Sequence, residues 1–195
     1  MARLIHLNGP PGIGKSTLSA LYAGRNLGAL NLDVDCLHRL VGGWQDEEYD
    51  TWQVVWPLAR AMVATHLDGG YDVVLPQYHA RLEEITTLEQ LARDHGADFR
   101  EVVLLDDREA VIERFDRRAR EDDDPWLRHQ HRLVGLRGGP ILLGTMYDDL
   151  LEVVRLRPGA VVVPSEAGAV QQTYRLLADV LRRPASCSTL KVVWL

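Results

Sequence analysis

The chain is 195 residues long, enough for one domain with a substantial core and short for two. Its 46% hydrophobic and 26% charged content is that of an ordinary globular protein, and a formal net charge of −6 argues against nucleic acid as a partner. No apolar run approaches the roughly 20 residues of a membrane span, and Met1-Ala2-Arg3 leads directly into a strand pattern. A cytoplasmic protein with no membrane partner, monomeric or homodimeric, is the expectation. Cys36 and Cys187 make neither a disulfide framework nor a metal-ligand spacing and are expected as free thiols.

Strand and helix patterns alternate almost from end to end, which predicts a parallel sheet with helices on both faces. Leu4 to Leu7 reads as the first strand, and a helix opens at Lys15 and runs toward Leu27, with Gly28 as its stop. Ala29 to Leu32 is a second short strand ending on Asp33. The spacing of Trp52, Val55, Trp56, Ala59 and Val63 predicts a helix from about 48 to 67, stopped by Gly69-Gly70. Tyr71 to Leu75 forms the third strand, closed by Pro76. A helix over about 80–95 precedes the strand Phe99–Leu105, and a further helix carries Ala110, Val111, Ile112 and Phe115. The acidic run Glu121 to Asp124, followed by Pro125, breaks it. Helix resumes from Trp126 to Leu136, Arg137 to Pro140 is a loop, Val161 to Val163 the last core strand, and 167–181 the closing helix. The expected layout is one domain over 1–183 with a tail at 184–195 whose last four residues are apolar.

Between the first strand and first helix, Gly9-Pro10-Pro11-Gly12-Ile13-Gly14-Lys15-Ser16 fits G-x-x-x-x-G-K-[ST] at every position. Glycines let the backbone wrap a phosphate with its N–H groups inward, and the helix adds its positive N-terminal end. Lys15 then reaches the β- and γ-phosphates, and the Ser16 hydroxyl ligates Mg²⁺. Gly9, Pro11, Gly12, Ile13, Gly14, Lys15, Ser16 and Thr17 are therefore the expected ATP contacts. The chain nearly avoids lysine, since of 22 basic residues only Lys15 and Lys191 are lysines, yet one stands in this loop.

Asp33 and Asp35 end the second strand, where open α/β sheets bind ligands. In extended chain the two side chains point the same way. One is expected to serve the metal, Asp33, and the other, Asp35, to prepare an attacking hydroxyl; the alternative is a helix cap. The third strand ends on Leu75-Pro76-Gln77-Tyr78-His79 with no acid. Gln77 and His79, with Arg39 and Arg60, are candidates for contacting an acceptor substrate, and Trp52 and Trp56 share a helical face that would wall an apolar site. Arg114, Arg117, Arg118 and Arg120 crowd the end of a helix before the acidic break. Such arginines neutralise charge during phosphoryl transfer when a hinged segment brings them over the phosphates. Arg114 and Arg118 share one face by spacing and are the favoured pair, with Arg118 on the ATP.

With these elements the chain resembles the small P-loop kinases, namely the adenylate, shikimate and gluconate kinases, and within them the tunicamycin-resistance type. The likeness rests on the phosphate loop, Trp56-Pro57-Leu58-Ala59-Arg60, Tyr71 to Pro76, Arg114 with Arg118, Trp126 and Gly135-Leu136. It implies a three-layer α/β P-loop fold with a five-stranded parallel sheet, a substrate-binding helical region at about 35–68 and a lid at about 114–137. It also implies ATP- and Mg²⁺-dependent phosphorylation of a small-molecule hydroxyl, on an antibiotic or nucleoside-like compound. The missing acid on the third strand departs from the nucleotide kinases. A nucleoside or nucleotide kinase, and an ATP-binding protein that sequesters a toxic ligand unmodified, are the competing readings.

Overall fold

A computed structural model describes residues 1–121 and 123–183. Asp122 of the acidic break and the tail at 184–195, with Cys187, Lys191 and Trp194, lie outside the described residues. The elements in chain order are β1 (Arg3–Asn8), α1 (Lys15–Arg25), β2 (Leu30–Asn31), α2 (Val34–His38), α3 (Trp52–Asp68), β3 (Val73–Leu75) and α4 (Leu82–Asp94), then β4 (Asp98–Leu105), α5 (Arg108–Glu121), α6 (Pro125–Leu136), α7 (Pro140–Arg155), β5 (Val161–Pro164) and α8 (Val170–Arg182).

The five strands form one parallel sheet in the order β2-β3-β1-β4-β5. β1 from Leu4 and β4 from Glu101 are buried on both faces, and the apolar stretch Val102 to Leu105 reflects that double burial. The two faces part by the alternation of side chains along each strand. Ile5, Leu7, Val102 and Leu104 pack against Leu18 and Tyr22 of α1 and Tyr174, Leu177 and Leu181 of α8. Leu4, Val73 and Leu75 turn the other way, onto Val55, Ala59 and Val63 of α3 and Leu88 and Ala92 of α4. No helix among the described residues is long and apolar enough to cross a membrane.

The sequence reading differs from the fold in three places. β2 is only two residues long, and Val34 to His38 are helical, so Asp33 and Asp35 do not share an extended strand. Asp33 instead caps α2, its Oδ1 accepting from the Asp35 amide at 3.2 Å. The largest difference is α7, a sixteen-residue helix where a loop led into unassigned chain. Gly138-Gly139-Pro140 reads as loop, yet proline at the first helical position starts a helix well. The apolar spacing behind it, Leu143, Tyr147, Leu150 and Val153, is buried, the last three against Ile85, Val103 and Leu105.

At the amino end of the sheet, a charged clasp joins three elements. Arg3 donates to Asp72 Oδ2 from Nε and Nη2, at 3.0 and 2.6 Å, and the Tyr22 hydroxyl donates to the same oxygen at 2.6 Å. Burial opposes ionisation of Asp72, but the Arg3 and Tyr22 hydrogen bonds outweigh it and hold the carboxyl below its ordinary value. The carboxylate thus contributes stability above the usual aspartate range, and that contribution is lost as pH falls through the lowered folded value. Asp72→Ala strips a half-buried arginine and a phenol of their shared acceptor. It should cost about 2–3 kcal/mol in urea unfolding. Arg93→Ala, which breaks an exposed pair with Glu89 at 3.5 Å, should stay within about 0.5 kcal/mol. Equal losses would show that the clasp is no stronger than a surface pair.

Candidate active site

The phosphate loop connects β1 to α1 over the carboxyl end of the sheet. Its glycines are required by shape. Gly9 has φ 148° and a Cβ there would stand 2.8 Å from the Leu104 carbonyl oxygen, while Gly12 has φ 85° and would meet the Phe115 backbone at 3.0 Å. The loop is braced from below, Asn8 Oδ1 accepting from the Gly9 amide at 2.8 Å and Ser165 Oγ donating to the Ile13 carbonyl at 3.0 Å.

Lys15 folds back into this loop and donates to the Gly9 and Pro10 carbonyls at 2.7 and 3.0 Å. It has no ion pair among the described residues. Burial pulls its pKa down to about 8, against the opposing attraction of Asp35 and then Asp33. An enclosed ammonium satisfied only by carbonyl dipoles is a site short of negative charge, and the left-handed loop around it leaves room for a phosphate. The residues present therefore fit a bound polyphosphate.

A cavity of about 570 Å³ runs from this loop across the end of the sheet. Pro11, Gly12, Gly14, Lys15, Ser16 and Thr17 line its near end and Trp52, Trp56, Gln77, Tyr78 and His79 its far end, with Asp35 and Arg118 also on its wall. Asp35 carries a carboxyl raised chiefly by burial and then by Asp33, against the Trp126 indole, Lys15 and Arg118. The Trp126 N–H favours the ionised carboxylate without closing to a hydrogen bond. Arg118 is exposed at the rim and has no hydrogen bond or ion pair among the described residues.

The structure thus brings together the loop, Lys15, Ser16, Thr17, Asp35, Arg118, Gln77 and His79, and Ile13 is buried beneath the loop. Four expected residues stand elsewhere. Asp33 is occupied as the α2 cap and does not line the cavity. Arg114, midway along α5, is held with its Nη2 on Asp106 Oδ2 at 2.5 Å and its Nη1 on the Ser165 carbonyl at 2.9 Å. It braces the residue that supports Ile13 and borders, with Arg117 and Arg118, a shallower cleft beside Gly12. Arg39 is turned to the α6 cap, donating to both oxygens of Asp124 at 2.7 and 2.6 Å. Arg60 lies on the exposed face of α3, outside the cavity.

Several wall residues escaped the sequence reading. Arg81 and Glu84 follow His79 into the start of α4, two to five residues beyond where a search of strand ends stops. Asp50 precedes α3, and Leu127, Gln130 and Met146 come from α6 and the unforeseen α7. The signal for Asp50 was its place before a helix, which reads equally as a cap; its Oδ1 does accept from the Trp52 amide at 3.1 Å. Among the described residues no group of three or more His, Cys, Asp or Glu side chains is placed to hold a metal ion. Ser16 is the one expected metal ligand on the cavity wall.

Fold and loop together define a P-loop protein of the kinase-like α/β class. A family model described as an AAA domain (AAA_33) matches residues 4–136, more than half of the chain, and the chain belongs to that family. No curated protein matches its sequence. Among solved structures it is similar to a gluconokinase from Sinorhizobium meliloti 1021, with TM-score 0.59 and 21% identity over 91% of each chain. It is also similar to the Deinococcus radiodurans tunicamycin resistance protein, with TM-score 0.56 and 17% identity over 94% of this chain and 98% of that one. A provisionally named kinase from Chloroflexus aurantiacus j-10-fl aligns with TM-score 0.63 and 16% identity, over 93% and 96% of the two chains. At these identities the likeness is one of fold.

The Lys15 pKa has a measurable consequence. Free protein loses the Lys15 proton as pH rises through about 8, and a bound polyphosphate restores it. Nucleotide binding should therefore take up a proton above pH 8 and weaken with rising pH, and this lysine-linked uptake should be absent at pH 7. Calorimetry at pH 8.5 in buffers of differing ionisation enthalpy reads the uptake directly. Lys15→Met should abolish it, and an unchanged proton count would place the lysine away from the phosphates.

Proposed function

We propose that the chain is a Mg²⁺- and ATP-dependent phosphotransferase that moves the γ-phosphoryl group of ATP to a hydroxyl of a small molecule, an antibiotic or nucleoside-like compound. One observation carries this reading. The cavity continues past the phosphate loop to a chamber lined by aromatic and hydrogen-bonding side chains, with a carboxylate of raised basicity on the wall they share. A protein that only hydrolysed or sensed nucleotide would have no use for that second chamber. A fold shared with a gluconokinase and with a tunicamycin resistance protein supports the same reading.

In this mechanism the loop amides and Lys15 would hold the β- and γ-phosphates, and the Ser16 hydroxyl would hold Mg²⁺. Bound there, Mg²⁺ would supply charge neutralisation at the transferring group. Asp35 accepts the proton of the acceptor hydroxyl as its oxygen bonds to the γ-phosphorus. The bond to the β–γ bridging oxygen breaks, and ADP leaves. Arg118, free at the rim, turns onto the equatorial oxygens. Arg39 on Asp124 and Arg132 on Glu47, at 2.6 Å, tie α6 to the segment before α3, so the lid and the acceptor chamber close as one unit.

Turnover measured as ADP release in the presence of an acceptor should vanish in Lys15→Ala. Arg118→Ala should lower it on the order of a hundredfold, as losing one oriented donor does. Asp35→Asn should lower kcat far more than nucleotide affinity and remove the acid limb of the pH profile, because protonation of Asp35 is what ends activity as pH falls. Arg60→Ala should change neither quantity by more than about twofold, as expected of an exposed surface position. Full turnover in Asp35→Asn would refute the base, and equal losses at Arg60 and Arg118 would refute the oxyanion role.

A further inference from the structure

His6 and His79 stand together at the floor of the acceptor chamber. His6 lies in β1 and is fully buried, and His79 follows β3 and is 5% exposed. His6 Nε2 lies 3.1 Å from the Gln77 carbonyl oxygen and 3.2 Å from His79 Nδ1, while His6 Nδ1 is buried with no partner. The His79 backbone is clamped, its amide donating to Asn8 Oδ1 at 3.0 Å and its carbonyl accepting from Asn8 Nδ2 at 2.8 Å. Trp56 stacks on the His79 ring with centroids 5.3 Å apart, and Trp52 lies 5.9 Å beyond. His79 Nε2 has no hydrogen bond among the described residues and is not among their buried unpartnered atoms, so this edge of the ring opens on the cavity.

We infer that His79 is a fixed hydrogen-bond donor that recognises an oxygen on an uncharged, hydroxylated acceptor molecule, and that His6 sets the tautomer in which it does so. The inference rests on the phosphotransfer reading and names the acceptor class of that same site. Proton placement decides between the two tautomers. If His6 carried its proton on Nδ1, a buried N–H would have no acceptor, and the Nε2 lone pair would face the carbonyl lone pair of Gln77. With the proton on Nε2, His6 donates to Gln77 and leaves only a weaker, unpaired ring acceptor. That same N–H points at His79 Nδ1, which must then offer its lone pair. The His79 proton is left on Nε2, at the cavity.

Charge keeps it there. The groups facing this pair are Lys15, the partner ring, the Trp56 and Phe99 rings and, opposite His6 on β4, Glu101, whose carboxylate Arg157 engages at 2.8 Å; Asp35, Glu84 and Arg81 stand further along the cavity wall. Burial, and then Lys15, draws the His79 pKa down to about 4, and His6 is pushed well below its ordinary value chiefly by burial. A second proton therefore does not join the pair at neutral pH. A neutral N–H set at the edge of a tryptophan shelf binds an oxygen lone pair while a ring face lies on the indoles. It gives an anionic acceptor no counter-charge and cannot take the proton of the attacking hydroxyl, which leaves that task to Asp35. His79 is thus a specificity residue.

Two measurements test this. In ¹⁵N-histidine-labelled protein, multiple-bond ¹H–¹⁵N spectra should show His79 bare at Nδ1 and protonated at Nε2, unchanged from pH 8 to pH 5.5. A proton on Nδ1, or a titration with a midpoint between 6 and 7, would overturn the assignment without need of any variant. Binding is then measured by calorimetry in the presence of Mg-ADP, with monosaccharides and nucleosides as uncharged probes and sugar acids and amino alcohols as charged ones. Uncharged probes should bind the wild type. His79→Gln, which keeps an N–H donor, should retain their affinity within about threefold, and His79→Phe, which keeps only the ring, should lose tenfold or more. Equal affinity in His79→Phe, or binding confined to charged probes, would overturn the inference. The latter result would leave phosphotransfer itself standing, as Mg-ATP turnover of a charged probe would show.

Discussion

One ammonium group organises the site. Lys15 is drawn into a loop whose backbone it helps to close, and it meets only the carbonyls of Gly9 and Pro10 there. Enclosing a cation without a carboxylate is costly, and the cost is met by two dipoles and by distant attraction from Asp35 and Asp33. A polyphosphate completes the arrangement. The rest of the neighbourhood serves that cradle. Asn8 and Ser165 brace its two sides, Arg114 donates to the Ser165 carbonyl and is itself held by Asp106, and the sheet beneath is packed on both faces.

The same electrostatics distinguish residues that look equivalent in sequence. Asp33 and Asp35 are two residues apart, but the first spends its carboxylate on the Asp35 amide and the second keeps its own on the cavity wall. Arg114 and Arg118 lie one turn apart on α5, yet Asp106 engages the first and no described group engages the second. A charge already paired holds structure in place, and an unpaired one at a rim is available to a ligand. By that criterion Arg39, pinned to Asp124, belongs to the link between lid and acceptor chamber, not to the chamber itself.

Local chemistry was legible in the sequence and long-range convergence was not. The phosphate loop was readable because each of its positions answers to a backbone or charge requirement, and it sits between a strand and a helix. The parallel sheet was readable from the alternation of apolar strands with helical spacing. The start of α7 was hidden by Gly138-Gly139-Pro140, whose local signal is shared by loops and by helix beginnings. With that helix went Met146, and with it the far wall of the cavity. Arg81, Glu84 and Asp50 were hidden for another reason: they lie past strand ends or before helices, where only the fold shows that they face inward. The pairing of His6 with His79 joins residues seventy-three apart and carries no local signature at all.

The central claim is that the phosphate cradle and the acceptor chamber act in one reaction. It is tested most directly by following the transferred group. ATP labelled with ¹⁸O on its γ-phosphoryl oxygens would be incubated with the protein, Mg²⁺ and a mixture of hydroxylated metabolites, nucleosides and antibiotics, and the products resolved by mass spectrometry. The account predicts ¹⁸O in a new small-molecule phosphate ester formed in step with ADP, and none of either with Lys15→Ala. Label appearing only in inorganic phosphate, or a tightly bound compound recovered unmodified beside intact ATP, would contradict it.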